Sequence, residues 1–459
     1  MNQGLFRFEE ISVRGLCMEL FRNLWMVFLI GAALWLGSTG LHKLTYKPQY
    51  TSYSTLVVTL KGQDSTYSSL SIAKQMADVF GMVFQSEVLR EKIIEDTGED
   101  IQGTIDCQPV NETNLLVLSS TSQNPRQAYL FIHSALKHYE EVAKDVFANA
   151  VLQVVQEPEV PSAPSNTSFF MARRSLITGA GVIVMAAIIA LFYILRFTVK
   201  NLTSARRLLD GKIRGMIPYE HKRMSANKKW VKKALLLNSP SVSMDFAESS
   251  RRVEAQIEYH MRRNHQKILL VTSVSENEGK STVAANIALA LAEKHKKVLL
   301  VDGDLRKPAQ YKVFEEEQTG RDSFNQLLKE KGNWREKIYY NKANQLWELF
   351  QFHSVEEPAA VLDGSFLEKL AEEWKSEMDY IIIDCSPVSI STDAEHLMKM
   401  ADSVVLVVRQ DWSDVRVIND TVDMIWQSDC DFSGFILNAF YKEWIQTGYS
   451  YGYEGYERG

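Results

Sequence analysis

Two long apolar stretches dominate the hydropathy pattern of the chain. Leu24–Leu41 and Leu176–Leu195 contain no charged residue, and roughly 20 apolar residues are enough for a helix to cross a bilayer. The first stretch is longer than the core of a secretory signal and is followed by no small-x-small cleavage site, which leaves a signal peptide as the weaker alternative. The pattern therefore predicts two transmembrane helices, at residues 24–41 and 176–195.

Basic residues set the expected orientation of these helices. The stretch 196–233 carries twelve Lys and Arg against two acidic residues, Asp210 and Glu220. Cytoplasmic flanks are enriched in Lys and Arg, and the pair Arg173–Arg174 on the other side of the second span is outweighed. We expect both termini in the cytoplasm and residues 42–175 outside the membrane.

The segment between the spans shows short alternating and helical patterns typical of a small α+β module. Strands are expected at Tyr50–Leu60, Leu115–Leu118 and Val151–Val155. Helices are expected where apolar residues recur at helical spacing, from Leu70 to Ile93 and from Pro125 to Ala148. His133 and His138 have no partner at metal-ligand spacing, and no catalytic set stands out in this module. A passive anchor is the simplest alternative for it.

A phosphate-binding loop follows the basic stretch. Lys267–Val271 is a continuous apolar run suited to a buried parallel strand, and it leads through Gly279-Lys280-Ser281-Thr282 into the helical run Val283–Ala292. Strand, loop and helix in this order are the context that a phosphate loop requires. The residues expected to bind nucleotide are Glu278, Gly279, Lys280, Ser281 and Thr282, with Lys280 on the β- and γ-phosphates and Ser281 on Mg²⁺.

Two later apolar strands end in carboxylates. One ends at Asp302 and Asp304, and the other ends at Asp384. Because functional residues gather at the carboxyl ends of parallel strands, these side chains are expected beside the loop, where they can hold Mg²⁺ or accept a proton. The runs Ser403–Val408 and Gly434–Leu437 supply further strands, and Asn438 could approach the base. The fold class predicted is an α/β P-loop domain with a mostly parallel sheet, joined to two transmembrane helices and a small outer α+β domain.

Overall composition changes this picture little. The net charge of −6 over 459 residues gives no indication of nucleic-acid binding, and no nucleic-acid partner is expected. The four cysteines form no CxxC pair, which argues against a structural zinc site. They are most simply small buried apolar residues.

Two family resemblances can be stated from these motifs. The two spans, the outer module and the Pro-rich stretch Pro158–Pro164 resemble the polysaccharide co-polymerases, the chain-length determinant family. Residues 241–445, with Asp302-x-Asp304-x-Arg306 and Glu357–Leu362, resemble the bacterial tyrosine kinases. The resulting organisation is an N-terminal tail (1–23), a span (24–41), an outer domain (42–175), a second span (176–195), a basic linker (196–240), a kinase domain (241–445) and a tyrosine-rich tail (446–459).

The kinase resemblance implies an activity, a set of partners and a location. It implies transfer of the γ-phosphoryl group of ATP, with Mg²⁺, to tail tyrosines of a neighbouring copy, namely Tyr449, Tyr451, Tyr453 and Tyr456. Lys280 would stabilise charge, Asp302 would activate the tyrosine hydroxyl, and Asp304 and Asp384 would serve Mg²⁺, although Asp302 and Asp304 could exchange roles. The partners implied are other copies in a ring, through Glu248 and Arg251, the polysaccharide polymerisation or export machinery, and a protein-tyrosine phosphatase. The implied location is the bacterial plasma membrane.

The chain departs from the kinase pattern at three places. Glu276-Asn277 replaces Pro-Gly in the loop, and Asn tolerates the left-handed backbone best among residues other than glycine. Glu254 stands where the contact helix should carry a second Arg, and Phe350–His353 lacks the usual small residues. Two alternatives therefore stay open: an ATP-binding co-polymerase scaffold with little kinase activity, and a membrane-anchored partitioning-type ATPase.

Overall fold

The structure is a computed structural model, and it describes residues 12–60, 79–98, 102–110, 113, 115–143, 150–222, 233–318, 321–362, 364–428 and 430–441. Two compact units divide the chain. One comprises residues 25–186, and the other comprises the N-terminal residues through 24 together with residues 187 onward.

The first unit contains the apolar helices and a small antiparallel sheet. Its elements are α2 (Leu24–Thr45), β1 (Tyr50–Leu60), α3 (Glu87–Thr97), β2 (Thr104–Pro109), β3 (Leu115–Ser122), α4 (Pro125–Ala143), β4 (Ala150–Gln156), α5 (Phe169–Ala172) and α6 (Arg174–Leu195), of which residues 187–195 belong to the second unit; α1 (Val13–Arg22) precedes them and also belongs to the second unit. The strand order is β2-β3-β1-β4, with antiparallel neighbours throughout. Alternate residues of β3 are buried, as expected for a sheet with helices on one face.

The core of this small domain joins the sheet to its helices. Leu56, Leu118, Phe84, Ile93 and Ile132 are all almost fully buried. The predicted strands and the α+β class are confirmed. Of the two predicted helices, the second is confirmed as far as Ala143, whereas Leu70, Ile72 and Met76 of the first lie outside the described residues.

Helices α2 and α6 each have 22 residues and are apolar and mostly exposed. The sequence in each case lacks charged residues over the length that a bilayer requires. By length and composition both helices can cross a membrane, which agrees with the two predicted spans.

The second unit is built on a large sheet. Its further elements are α7 (Leu202–Leu208), β5 (Ile213–Pro218), α8 (Met244–Arg263), β6 (Ile268–Ser273), α9 (Lys280–Glu293), β7 (Val298–Asp302), α10 (Gln310–Val313), α11 (Phe324–Glu330), α12 (Trp334–Lys337), β8 (Tyr339–Asn341), β9 (Leu346–Leu349), α13 (Gly364–Glu377), β10 (Tyr380–Asp384), α14 (Asp393–Met398), β11 (Ser403–Arg409), α15 (Val415–Gln427) and β12 (Asp431–Phe440).

The sheet has the order β5-β12-β11-β6-β10-β7-β9-β8, and only the β8–β9 pair is antiparallel. Every residue of β6, β7 and β10 is buried, as expected for central strands covered on both faces. Apolar clusters lie on the two faces of the sheet. The mostly parallel α/β fold predicted from the sequence is confirmed.

One predicted boundary is wrong. The sequence assigns residues 196–240 to a basic linker, but α7 and β5 fold onto the α/β unit, with β5 as the edge strand beside β12. The prediction failed because it rested on the many Arg and Lys residues, whereas apolar residues between them, such as Ala205, Leu209 and Ile217, are buried. The number of charged residues therefore does not distinguish a linker from an edge strand.

Candidate nucleotide site

The phosphate loop joins β6 to the N-terminus of α9. Two residues of the loop have positive φ, 65° for Asn277 and 94° for Gly279. The expectation that Asn277 can take a left-handed backbone in place of glycine is confirmed. At Gly279 a Cβ atom would overlap the Asn438 amide, so glycine is required there for space as well as for conformation.

Lys280 meets two carboxylates at the carboxyl ends of neighbouring strands. Its Nζ lies 2.8 Å from Asp304 Oδ2 and 3.5 Å from Asp384 Oδ1. All three side chains are largely buried. Burial disfavours the charge of Lys280, but the carboxylates of Asp384 and Asp304 outweigh it and hold the Lys280 pKa above its ordinary value. The predicted convergence of Lys280, Asp304 and Asp384 is thus present in the structure.

Asp302 is paired in register with Asp384, but its carboxylate is engaged with the backbone. Asp302 Oδ2 accepts hydrogen bonds from the backbone amides of Ala309 (3.0 Å) and Gln310 (2.9 Å). Burial and the nearby Asp384 carboxylate raise the pKa of Asp302. In this conformation Asp302 shapes the loop that presents Asp304, whereas its role as the proton acceptor stays a prediction.

Gln310 is a site residue that the sequence did not indicate. Its Nε2 donates to Asp384 Oδ2 (2.9 Å) and to the Ser281 carbonyl (3.0 Å), while its buried Oε1 has no hydrogen-bond partner among the described residues. The side chain therefore connects the loop helix to the second acidic strand. Its position eight residues after Asp302 gives no recognisable signal in the sequence.

The side chain of Glu278 is buried and points into the loop. It accepts hydrogen bonds from Ser275 N (2.8 Å) and Ser413 Oγ (2.9 Å). Burial raises the pKa of Glu278. The Glu278 carboxylate therefore holds the loop in shape, and the contact of Glu278 with nucleotide stays a prediction.

A cavity of about 220 Å³ opens beside the loop. Gly279, Thr282 and Asn438 line it, together with residues 218–222 at and after the end of β5. Asn438 Nδ2 donates to the Glu278 carbonyl at 2.7 Å, so its amide also closes the loop. The structure places Asn438 at the cavity, as expected for a residue near the base, and the segment after β5 is a second feature that the sequence did not indicate.

The remaining predicted residues lie elsewhere. Glu248 and Arg251 form an exposed pair on α8, and Arg251 also contacts Glu293. The four tail tyrosines, Tyr449, Tyr451, Tyr453 and Tyr456, lie outside the described residues. The described residues contain no group of three or more His, Cys, Asp or Glu side chains placed to hold a metal ion by themselves.

Comparison with known proteins covers both units. Residues 267–426 match the AAA domain, and residues 9–97 match the chain length determinant protein family. The chain is 31% identical over 189 residues to the tyrosine-protein kinase CpsD of Streptococcus agalactiae, covering 41% of this chain and 82% of CpsD. The chain belongs to the bacterial tyrosine-protein kinases.

Two further matches describe the same kinase region. This tyrosine-protein kinase is 29% identical over 209 residues to YwqD of Bacillus subtilis, covering 46% of this chain and 86% of YwqD. The kinase domain of Escherichia coli tyrosine kinase ETK aligns with a TM-score of 0.46 and 21% identity, covering 53% of this chain and 95% of that domain. The kinase carries, in one chain, a chain-length-determinant region that includes the first apolar helix, a second apolar helix outside that region and an AAA domain, so it is a membrane protein.

Proposed function

We propose that this chain transfers the γ-phosphoryl group of ATP to tyrosines of its own C-terminal segment on a neighbouring copy. We propose further that this reaction regulates the synthesis, chain length or export of a surface polysaccharide. The observation that carries the catalytic part is the position of the Lys280 ammonium, 2.8 Å from Asp304 and 3.5 Å from Asp384 at the N-terminus of α9.

The site fits a magnesium nucleotide. The glycine at 279 leaves the backbone open where a Cβ would collide, and helix N-termini attract phosphate. A hydroxyl at Ser281 and carboxylates at Asp304 and Asp384 are the oxygen donors that Mg²⁺ prefers. Gln310 Oε1, which has no hydrogen-bond partner in the part of the chain that the structure describes, is a further acceptor beside them, suited to a metal-bound water.

The reaction requires positive charge on the phosphates and an acceptor for the phenolic proton. Mg²⁺, when bound, would supply positive charge to the phosphates. The Lys280 ammonium would leave the carboxylates of Asp304 and Asp384 and bind phosphate oxygens, which adds a second positive charge beside the transferred group. The tyrosine oxygen forms a bond to the γ-phosphorus as the bond to the ADP oxygen breaks, and the phenolic proton passes to a carboxylate. Asp302 is the proposed acceptor, and Asp304, whose Oδ2 lies 2.8 Å from Lys280 Nζ, is the alternative.

Location and partners rest on other features. The excess of basic residues after α6 supports cytoplasmic termini in a bacterial plasma membrane. The chain-length-determinant region supports a homo-oligomer acting with polysaccharide polymerisation or export machinery. A tyrosine phosphatase completes the proposed cycle, since a phosphotyrosine switch needs removal as well as addition.

The test uses the full chain in detergent micelles with Mg²⁺ and ATP. We expect mass spectrometry to find phosphate on Tyr449–Tyr456, and we expect Lys280→Met to remove it. A mixing experiment distinguishes transfer within one copy from transfer between copies. The Lys280→Met chain is mixed with a chain in which all four tail tyrosines are Phe. Phosphate on the Lys280→Met chain then shows transfer between copies, because that chain cannot phosphorylate itself. ATP binding without phosphotyrosine would instead favour the scaffold function, and phosphate released only into solution would favour an ATPase.

A further inference from the structure

The loop between β11 and α15 touches two places that are far apart in the sequence. We define the bridging loop as Gln410–Asp414. On one side it contacts the phosphate loop, and on the other side it contacts the residues at the end of α6. The described part of the second unit thus links the end of an apolar helix to the nucleotide site through five consecutive residues.

The contacts to the phosphate loop are made by side chains. Trp412 Nε1 donates to the Glu276 carbonyl at 3.0 Å, and Ser413 Oγ donates to Glu278 Oε1 at 2.9 Å. Arg409, just before the bridging loop, donates to the Asn277 carbonyl at 2.9 Å and lies over the Trp412 ring at 4.6 Å. Three successive residues of the phosphate loop are therefore held from outside it.

The contacts to α6 converge on Asp411. Its carboxylate accepts hydrogen bonds from Tyr193 Oη and Thr198 Oγ1, both at 3.1 Å, and its backbone amide donates to the Val199 carbonyl at 3.0 Å. Asp411 is partly buried and has φ of 52°, a conformation that non-glycine residues adopt when surrounding contacts impose it. The end of α6 thus fixes the backbone of the bridging loop.

The loop is better suited to positioning than to core stability. Trp412 is 46% exposed, so its indole adds little to the buried core, and its contacts are the hydrogen bond to Glu276 and the Arg409 guanidinium over its ring. Asp411 and Trp412 are adjacent residues, so a single peptide unit joins the contact with Tyr193 to the contact with Glu276.

We propose that the bridging loop couples the position of the end of α6 to the shape of the phosphate loop, with Asp411 and Trp412 as positioning residues. This inference rests on the proposed nucleotide site but not on the identity of the phosphate acceptor. A displacement of α6, for example on assembly of the membrane region, then changes nucleotide affinity without any new contact to the nucleotide.

The experiment measures amide hydrogen exchange and MgADP affinity of the full chain in lipid nanodiscs. Trp412→Phe keeps the aromatic ring and removes the indole N–H, and Tyr193→Phe removes one hydrogen bond to Asp411. Since each lost hydrogen bond changes an equilibrium by roughly threefold to tenfold, we expect exchange of the Ser275–Gly279 amides to rise by that factor in both variants. MgADP affinity should fall by a similar factor, and the double variant should show less than the product of the two effects.

Lys369→Gln is the control, because Lys369 is an exposed residue of α13 whose ion pair, among the described residues, is with Glu373 of the same helix. It should leave both readouts unchanged. The inference is overturned if Tyr193→Phe leaves phosphate-loop exchange at the wild-type level, or if the two single effects multiply independently. A general loss of protection across β7 and β10 would also overturn it, because that outcome marks a structural role. Failure of phosphotyrosine formation would contradict the proposed function but would leave these readouts intact.

Discussion

Lys294 Nζ lies 2.8 Å from Oε1 and 2.7 Å from Oε2 of Glu254, so one ammonium group is shared by both oxygens of a buried carboxylate. Glu254 lies on α8 and is 1% exposed, and Lys294 directly follows α9. Burial raises the pKa of Glu254. The residue that departs from the contact-helix pattern of the family therefore points into its own subunit, where it joins two helices.

The first prediction is that restoring the family's arginine harms the fold. Glu254→Arg removes one of the two carboxylate partners of Lys294, the other being Glu258, and brings two positive charges together beside a buried position. We expect this change to cost about 3–5 kcal/mol of unfolding free energy. Thermal unfolding of the full chain in detergent, followed by circular dichroism, measures the change. Glu248→Gln on the exposed face of the same helix should change the unfolding free energy by less than about 1 kcal/mol. The prediction is contradicted if Glu254→Arg is as stable as the wild type and forms larger oligomers, because position 254 would then be able to contact a neighbouring subunit.

The second prediction concerns the backbone of the phosphate loop. Gly279→Ala places a Cβ on a residue with φ of 94° and against the Asn438 amide. We expect MgADP affinity to fall at least about tenfold, since a left-handed backbone costs a non-glycine residue about 1–2 kcal/mol before the collision is counted. Gly332→Ala, with no atom near its Cβ position, is the control. Equal affinities of the two alanine variants would contradict the assigned geometry.

The sequence predicts the centre of this site better than its edges. Lys280, Asp304 and Asp384 could be placed together because parallel strands end at the same side of a sheet, and Asp302 and Asp384 are indeed in register. The edge strand β5 was missed because its pairing partner β12 lies more than 200 residues away and its own pattern is short. The sequence pattern of a short segment contains no information about which distant strand it pairs with.

The third prediction concerns Gln310, which the sequence did not indicate. Gln310→Leu keeps the approximate volume but removes the N–H donor from Asp384, whose pKa is already raised by burial. The loss of one hydrogen bond to a charged group is worth about 1.5–3 kcal/mol, so Mg²⁺-dependent nucleotide affinity should fall by at least about tenfold. Isothermal calorimetry with and without Mg²⁺ measures this change. An equal loss without Mg²⁺ would show that Gln310 acts on the loop alone.

The fourth prediction is a pH dependence of stability set by Glu348. Its carboxyl group is buried on β9, and Oε1 has no partner among the described residues. Burial and the neighbouring Glu316 carboxylate raise the pKa of Glu348 to about 9, from an ordinary value of 4.5. Between these two values the unfolded chain has lost a proton that the folded chain keeps, so this group makes stability fall as pH rises.

Replacing Glu348 with Gln removes that contribution, because the neutral amide resembles the protonated acid at every pH. The melting temperature of the wild type should therefore fall more steeply than that of Glu348→Gln from about pH 5 to about pH 8, and Glu348→Gln should be the more stable chain at the upper end. Glu315→Gln serves as the control, since Glu315 is exposed and forms only a long 3.6 Å pair with Lys233 among the ion pairs of the described residues. Parallel curves for wild type and Glu348→Gln would mean that Arg321, 3.4 Å from Oε2, keeps Glu348 ionised in the folded chain.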